Sequence, residues 1–252
     1  MTFGYALVVD VGASRMKWAL VSPNGYVAQG IIANAEIGTL ALRDWQNLPR
    51  PVRAIGVNAA GEAARVRVEG QLSRWRLPMQ WLVPSERACG VTNRYVPPAQ
   101  LGGDRWAACV AARVRAVQTD ARPRPFTVVN AGTFVTVDSV DADGVFHGGM
   151  ILPNVRLMMR SLAENASTFK VPAGRFVAFP VNTSDGVYTG ALHAVCGAIE
   201  LARARLSIHR EAVRCYITGV ASPEIAPLLA PQVEVIDNLV LEGVLEIAAE
   251  NG

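Results

Sequence analysis

An apolar run that ends in a carboxylate and a glycine can hold the phosphates of a nucleotide, and this chain carries one near its start as Asp10-Val11-Gly12-Ala13-Ser14. A strand that turns through glycine leaves backbone N–H groups open to an anion, and a carboxylate beside them can hold a magnesium ion. On that reading Asp10 orients Mg²⁺ through water, Gly12 permits close approach, and Ser14 and Lys17 face the phosphates. A second turn of the same kind, Asn130-Ala131-Gly132-Thr133, lies further along, and Gly132 and Thr133 would approach the same nucleotide from the opposite wall. Strand-ending Asp and Gly are also ordinary turn residues. The repetition is what points to function.

The other unusual passage is Pro97-Pro98-Ala99-Gln100-Leu101-Gly102-Gly103-Asp104-Arg105-Trp106, with opposite charges side by side at a helix start. Asp is a favoured residue at such a start on structural grounds alone. Asp104 could equally take a proton from a substrate hydroxyl while Arg105 grips an anionic group. Tyr95 lies just upstream and could close over a substrate or serve in packing. His147, His193 and His209 share no metal-ligand spacing and read as structural, and Cys89, Cys109, Cys196 and Cys215 stand too far apart for a zinc or disulfide framework. They read as buried thiols. The pair Gly148-Gly149 suggests a close approach of two backbones or of backbone and ligand. Thr218-Gly219-Val220 suits either an adenine or ribose contact or a plain strand-to-helix turn.

The elements that position these residues follow from the apolar pattern. Tyr5 to Val11 reads as a buried strand, and Trp18–Val21 and Tyr26–Ile32 flank Asn24-Gly25, a hairpin signal in which both turn residues take positive φ. A strand near Val52–Val57 and helices over Gly61–Trp75 and Leu101–Val117 follow. The second half opens like the first, with strands at Phe126–Val129, Phe134–Val140 and Val145–Leu152, the last two flanking Asp143-Gly144. Aligned on the first half, Asp10-Val11-Gly12-Ala13 matches Asn130-Ala131-Gly132-Thr133, so the chain is internally duplicated. Helices near Val155–Ala163, Asp185–Leu206, after Ser222-Pro223 and near Asn238–Ala249, with a strand at Arg214–Thr218, complete the pattern. It predicts an α/β protein with a mixed sheet in each half and a cleft between them. The polar, proline-punctuated stretch Thr119–Pro125 divides the halves as residues 1–120 and 121–252.

Composition narrows the class. The 252 residues are 51% hydrophobic and 18% charged, with a net charge of +3 from 24 basic and 21 acidic residues. Arginines scattered along the chain exclude an electrostatic nucleic-acid tail. The longest uncharged stretch, Trp18 to Ala35, is broken by Ser-Pro-Asn-Gly, so no membrane span is expected, and no signal peptide is legible at the start. A cytoplasmic protein is expected.

Taken together, the motifs resemble the type III pantothenate kinases, a bacterial family that includes Bvg accessory factors. The resemblance runs over nearly the whole chain. It rests on Asp10-Val11-Gly12-Ala13-Ser14-Arg15-Met16-Lys17, on Tyr95 with Leu101-Gly102-Gly103-Asp104-Arg105-Trp106, on Ala131 to Asp138, on Gly148 to Pro153, and on Asn182 to Asp185. It implies the duplicated ribonuclease H-like fold of the actin, sugar kinase and heat-shock chaperone superfamily. It implies ATP-dependent phosphorylation of pantothenate to 4'-phosphopantothenate, the first step of coenzyme A synthesis, by a homodimer whose pantothenate pocket draws on both subunits. The segment Asp10 to Lys17 then binds ATP and Mg²⁺, with Gly132 and Thr133 on the same ATP. Tyr95 and Gly102 to Arg105 bind pantothenate, Asp104 is the proton acceptor, and Thr183 reaches pantothenate from the neighbouring subunit.

Two positions depart from the family pattern. Ala13 stands where Asn is common, removing a side-chain hydrogen bond near the phosphates. Asn130 stands where an Asp is expected to hold K⁺ or ammonium, and Asn keeps an oxygen ligand without the charge. Weaker or absent monovalent-cation activation follows. Two competing readings stand beside the kinase: a weakly active nucleotide-binding accessory protein of the same fold, suggested by these departures and by the accessory-factor relatives, and a kinase of another small hydroxylated substrate, since pocket shape is not legible in a sequence.

Overall fold

The computed structural model describes residues 4–165, 174–207 and 213–250, and His209 lies outside them. The chain forms two compact units, Met1–Arg115 with Asn238–Gly252, and Ala116–Asp237.

The first unit opens with β1 (Ala6–Val11), β2 (Arg15–Ser22) and β3 (Gly25–Ala33), followed by a 3-10 stretch over Asn34–Leu42 and then β4 (Arg53–Asn58), α1 (Glu62–Leu72) and β5 (Met79–Trp81). Its sheet runs β3-β2-β1-β4-β5. β1 pairs antiparallel with β2 and parallel with β4, and β4 pairs parallel with β5. β1 is flanked on both sides by strands and buried at every position except Asp10, which is why its sequence is an apolar run without alternation. Trp18, Trp45 and Trp75 anchor the core beneath, the first pair edge to face at 6.0 Å and the second stacked at 5.7 Å. Arg74 covers Trp75 and donates to the carbonyls of Trp45 and Gln46 at 2.7 and 2.8 Å, satisfying loop groups that have no strand partner.

A short hairpin, β6 (Arg87–Ala88) and β7 (Val91–Asn93), leads to α2 (Gly103–Thr119). The second unit then repeats the first. β8 (Phe126–Ala131), β9 (Phe134–Val140), β10 (Val145–Pro153), α3 (Val155–Asn165), α4 (Thr183–Leu206), β11 (Arg214–Thr218), α5 (Ser222–Ile225) and β12 (Val233–Val235) give the strand order β12-β11-β8-β9-β10. With β8 in the place of β1, the pairings have the same senses: antiparallel to β9, parallel to β11, and β11 parallel to β12. β8 also has the same burial as β1, closed everywhere except at its fifth residue, which here is Asn130. α4 packs on β8 and β9 through Leu192, Val195 and Ile199. Arg203, itself buried, ties the far end of α4 to the carbonyls of Val213, Ala230 and Pro231.

Three expectations are corrected. The units divide inside α2, and α6 (Leu239–Glu250) returns to the first unit, so the final helix does not belong with residues 121–252. Its apolar face, Val240, Val244 and Ile247, is buried, and it packs on β1 and β4. The Arg115 fork grips Glu242 at 2.8–2.9 Å. The first hairpin turns through Pro23 and Asn24, with Ser22 opposite Gly25, and only Gly25 takes a positive φ, +113°. Proline's ring fixes φ negative and excludes the expected geometry. Gly148 marks a bulge between Phe146 and Gly148 at φ +112°, and nothing lies within 4 Å of a Cβ built there, so no second backbone crowds this residue and the glycine serves the bend of the strand.

Candidate active site

Asp10 is the penultimate residue of β1. Its register partners are Lys17 on β2 and Val57 on β4. Val57 is the means by which a distant segment reaches Asp10, because a Cβ at Gly103 would lie 3.1 Å from Val57 Cγ1. That contact sets the first turn of α2 against the carboxyl ends of the parallel strands β1 and β4, where ligands gather in open α/β sheets. Asp104 then stands in the field of Asp10. At Gly102 a Cβ would lie 2.7 Å from Asp104 Oδ1, so a side chain there would displace that carboxylate.

The electrostatics of Asp10 are unusual. Its Oδ1 is sealed from solvent with no hydrogen-bond partner. Burial first, and the Asp104 charge second, push its carboxyl from the ordinary 3.8 up to about 7, while Lys17 acts the other way. A half-buried carboxylate that faces a second carboxylate and keeps an unpartnered oxygen is a donor set for a divalent cation.

The turn after β1 is held on both sides. Gly12 N–H donates to the Arg15 carbonyl at 2.9 Å, and the Gly12 carbonyl accepts from Asn34 Nδ2 at 2.9 Å. Ala13, Ser14 and Arg15 are exposed, whereas the side chains of Val11 and Met16 are fully buried in the core. Those two can offer a ligand only their backbone. The second turn repeats this, with Gly132 N–H on the Phe134 carbonyl at 3.1 Å and Asn154 Nδ2 on the Gly132 carbonyl at 2.9 Å. Asn130 lies opposite Thr136 and Thr218. Gly219 takes φ +101° with its Cβ direction 2.5 Å from the Ala131 carbonyl, so glycine at this turn has a packing reason.

The segment before α2 is organised by Asn93, a buried residue that sequence reasoning missed. Its amide donates to the carbonyls of Ser85 and Pro98, both at 3.2 Å, and its Oδ1 accepts Tyr95 N–H at 3.0 Å. Arg105 is only 6% exposed, and its Nη1 donates to the Tyr95 hydroxyl at 3.4 Å, with the guanidinium 5.9 Å from the ring centre. Tyr95, Gly102, Gly103, Asp104 and Arg105 therefore form one cluster within the first unit. Just upstream, Cys89 N–H is held by both oxygens of Glu250 at 2.9 Å, and burial, then the Glu250 charge, pushes its thiol up to about 12. The other three cysteines are buried.

Thr183 belongs to the second unit, exposed in the first turn of α4. Asn182 caps that helix by accepting Asp185 N–H at 3.0 Å, while Asp185 accepts Arg175 N–H at 2.8 Å. The Arg175 N–H first, and then Asn182 Nδ2, which donates to Asp185 Oδ2 at 2.8 Å, keep the Asp185 carboxyl below its usual range. Among the described residues no group of His, Cys, Asp and Glu is arranged to hold a metal by itself, and no helix is long and apolar enough to cross a membrane.

The family model for type III pantothenate kinases matches residues 6–205. The chain belongs to that family. A type III pantothenate kinase from Paracidovorax citrulli is 40% identical over 255 residues, with 99% of each chain covered. Among solved structures, one described as a Baf family transcriptional activator from Campylobacter jejuni aligns with a TM-score of 0.65 at 19% identity, over 97% of this chain and 98% of that one. An archaeal actin homologue aligns with a TM-score of 0.51 at 11% identity, over 98% of this chain and all of the other. The duplicated mixed sheets are thus those of the actin-like fold. Within the type III pantothenate kinases, the sites of departure, Ala13 and Asn130, occupy the exposed tip of the first turn and the polar position of β8.

Proposed function

We propose that this type III pantothenate kinase transfers the γ-phosphoryl group of ATP to the hydroxyl of pantothenate, giving 4'-phosphopantothenate at the first step of coenzyme A synthesis. The coupled pair Asp10 and Asp104 carries the reading. Asp10 would hold Mg²⁺ through water, and the ion when bound offsets charge on the transferring phosphoryl group. The turn from Gly12 to Ser14, with Lys17, receives the phosphates, and Gly132 and Thr133 are further nucleotide contacts.

Asp104 accepts the proton of the pantothenate hydroxyl as its oxygen bonds to the γ-phosphorus, and the bond from that phosphorus to the bridging oxygen breaks with its electron pair leaving on ADP. Arg105 and Tyr95 grip the acceptor and exclude water around it. K⁺ or ammonium beside Asn130 would meet an oxygen without a charge. The enzyme acts as a homodimer in which Thr183 completes the partner's pantothenate pocket. Phe179 and Val181, 88% and 97% exposed just before Thr183, are an apolar surface suited to that contact.

The test is ADP release from MgATP with pantothenate as acceptor, beside D104N. Loss of the base lowers kcat roughly 10²–10⁴-fold while MgADP still binds. Wild-type protein that binds nucleotide but never phosphorylates pantothenate, or D104N with wild-type turnover, would overturn the assignment.

A further inference from the structure

The first phosphate turn is fastened from outside by one residue. Asn34 follows directly on β3, and two of its groups reach the turn: Nδ2 donates to the Gly12 carbonyl at 2.9 Å and its backbone N–H donates to the Ser14 carbonyl at 3.0 Å. A trans peptide carries its C=O and N–H in opposite directions. Drawing the Gly12 and Ser14 carbonyls toward Asn34 therefore turns the Ala13 and Arg15 N–H groups to the other side of the loop. Ala13 has no polar side chain with which to fix the turn from within.

The copy in the second unit sharpens the point. Asn154 likewise follows β10 and donates to the Gly132 carbonyl at 2.9 Å, but its Oδ1 also accepts Leu157 N–H at 2.8 Å and caps α3. Asparagine at 154 is thus accounted for twice. Asn34 has no such second reason. The 3-10 stretch it opens shows no side-chain cap, and Asn34 Oδ1 is buried without a partner. A residue that left no acceptor stranded would serve packing better there.

We propose that Asn34 is a positioning residue for nucleotide binding, its side-chain amide holding the Gly12 carbonyl so that the Ala13 N–H is directed toward the phosphates. The inference rests on the nucleotide role given to that turn above and deepens it. Asn34 acts on ATP through the loop and takes no part at the pantothenate segment, residues 93–105.

The experiment compares wild type, N34A and N34D by calorimetric titration with MgADP, then by steady-state kinetics with each substrate varied. N34D keeps the size of the side chain but cannot donate to the Gly12 carbonyl. Both variants are expected to bind MgADP roughly tenfold more weakly, with KM for ATP rising alike and KM for pantothenate unchanged. Folded variants with wild-type MgADP affinity would overturn the proposal, as would an equal rise in both KM values, the mark of general loosening. Unfolding of both variants would assign Asn34 to the core and overturn it too. Wild type that binds MgADP without phosphorylating pantothenate would sink the proposed function and leave the calorimetric comparison decisive for Asn34, whereas wild type that binds no MgADP would overturn both.

Discussion

Replacing Asp10 by Asn should abolish turnover and yet stabilise the metal-free protein. The Asp10 carboxyl is raised from 3.8 to about 7, mainly by burial and next by Asp104. A carboxyl raised by folding favours the unfolded chain as it ionises. The stability it allows is fully present below pH 3.8, is lost progressively as pH rises toward 7, and stays lost above that value. At about 1.4 kcal/mol for each pH unit the full gap is about 4 kcal/mol, and partial exposure of the residue lowers this to about 2–4 kcal/mol. D10N removes the titration and leaves a neutral group of the same shape. D10N and wild type should therefore melt together near pH 4, and D10N should melt roughly 5–15 °C higher at pH 8. Thermal denaturation followed by circular dichroism from pH 4 to 8, with chelator present, measures the difference directly. Adding Mg²⁺ at pH 8 should raise the wild-type midpoint and leave D10N unmoved. A gap between the two proteins that is the same at every pH would refute the reasoning, because it would show that Asp10 ionises equally in the folded and unfolded chains.

Two further predictions concern the second unit and the packing of the last helix. Asn130 offers an oxygen but no charge, so K⁺ should barely change wild-type turnover, and N130D should lower the K⁺ concentration for half-activation roughly tenfold. Strong saturable activation of wild type in a K⁺ titration would count against this. A Cβ at Gly243 would collide with the Ala107 carbonyl, a backbone group that cannot swing aside, whereas nothing lies within 4 Å of a Cβ at Gly70 in α1. Denaturant unfolding should show G243A destabilised by about 1–3 kcal/mol or more and G70A stabilised by about 0.5–1 kcal/mol. Equal effects at both positions would mean that α6 does not pack as described.

The strands were legible wherever one physical term dominated. β1 and β8 are closed on both sides, so their apolar runs stand out, and the one position in each that is not fully buried, Asp10 or Asn130, marks the site. The hairpin at Asn24-Gly25 was misread because a dipeptide rule ignored Pro23, whose ring settles φ before Asn24 has any influence. The return of α6 to the first unit could not be read from local composition, since it depends on Gly243 meeting Ala107 and Glu242 meeting Arg115. The same holds for the coupling of Asp10 to Asp104. Both carboxylates were visible in the sequence, but the contact that joins them, Gly103 on Val57, is tertiary. Asn34 and Asn154 were within reach, because they stand at the same offset as Asp10 and Asn130 or Gly12 and Gly132, yet no chemical motif drew attention to them.

Duplication also provides an internal control on what the site requires. At the polar position of the central strand the first unit keeps a charge that burial opposes, Asp10, where the second has neutral Asn130. After the third strand the first unit keeps an unpartnered oxygen on Asn34, where the second uses the same oxygen on Asn154 to cap a helix. Both unfavourable features fall in one copy and flank one turn. A folded chain retains such groups where something other than folding uses them, and a buried carboxylate with an unpartnered oxygen is satisfied by a cation. Under the proposed function that cation is the magnesium of MgATP, so the first turn's cost in the empty protein should be recovered when MgATP binds.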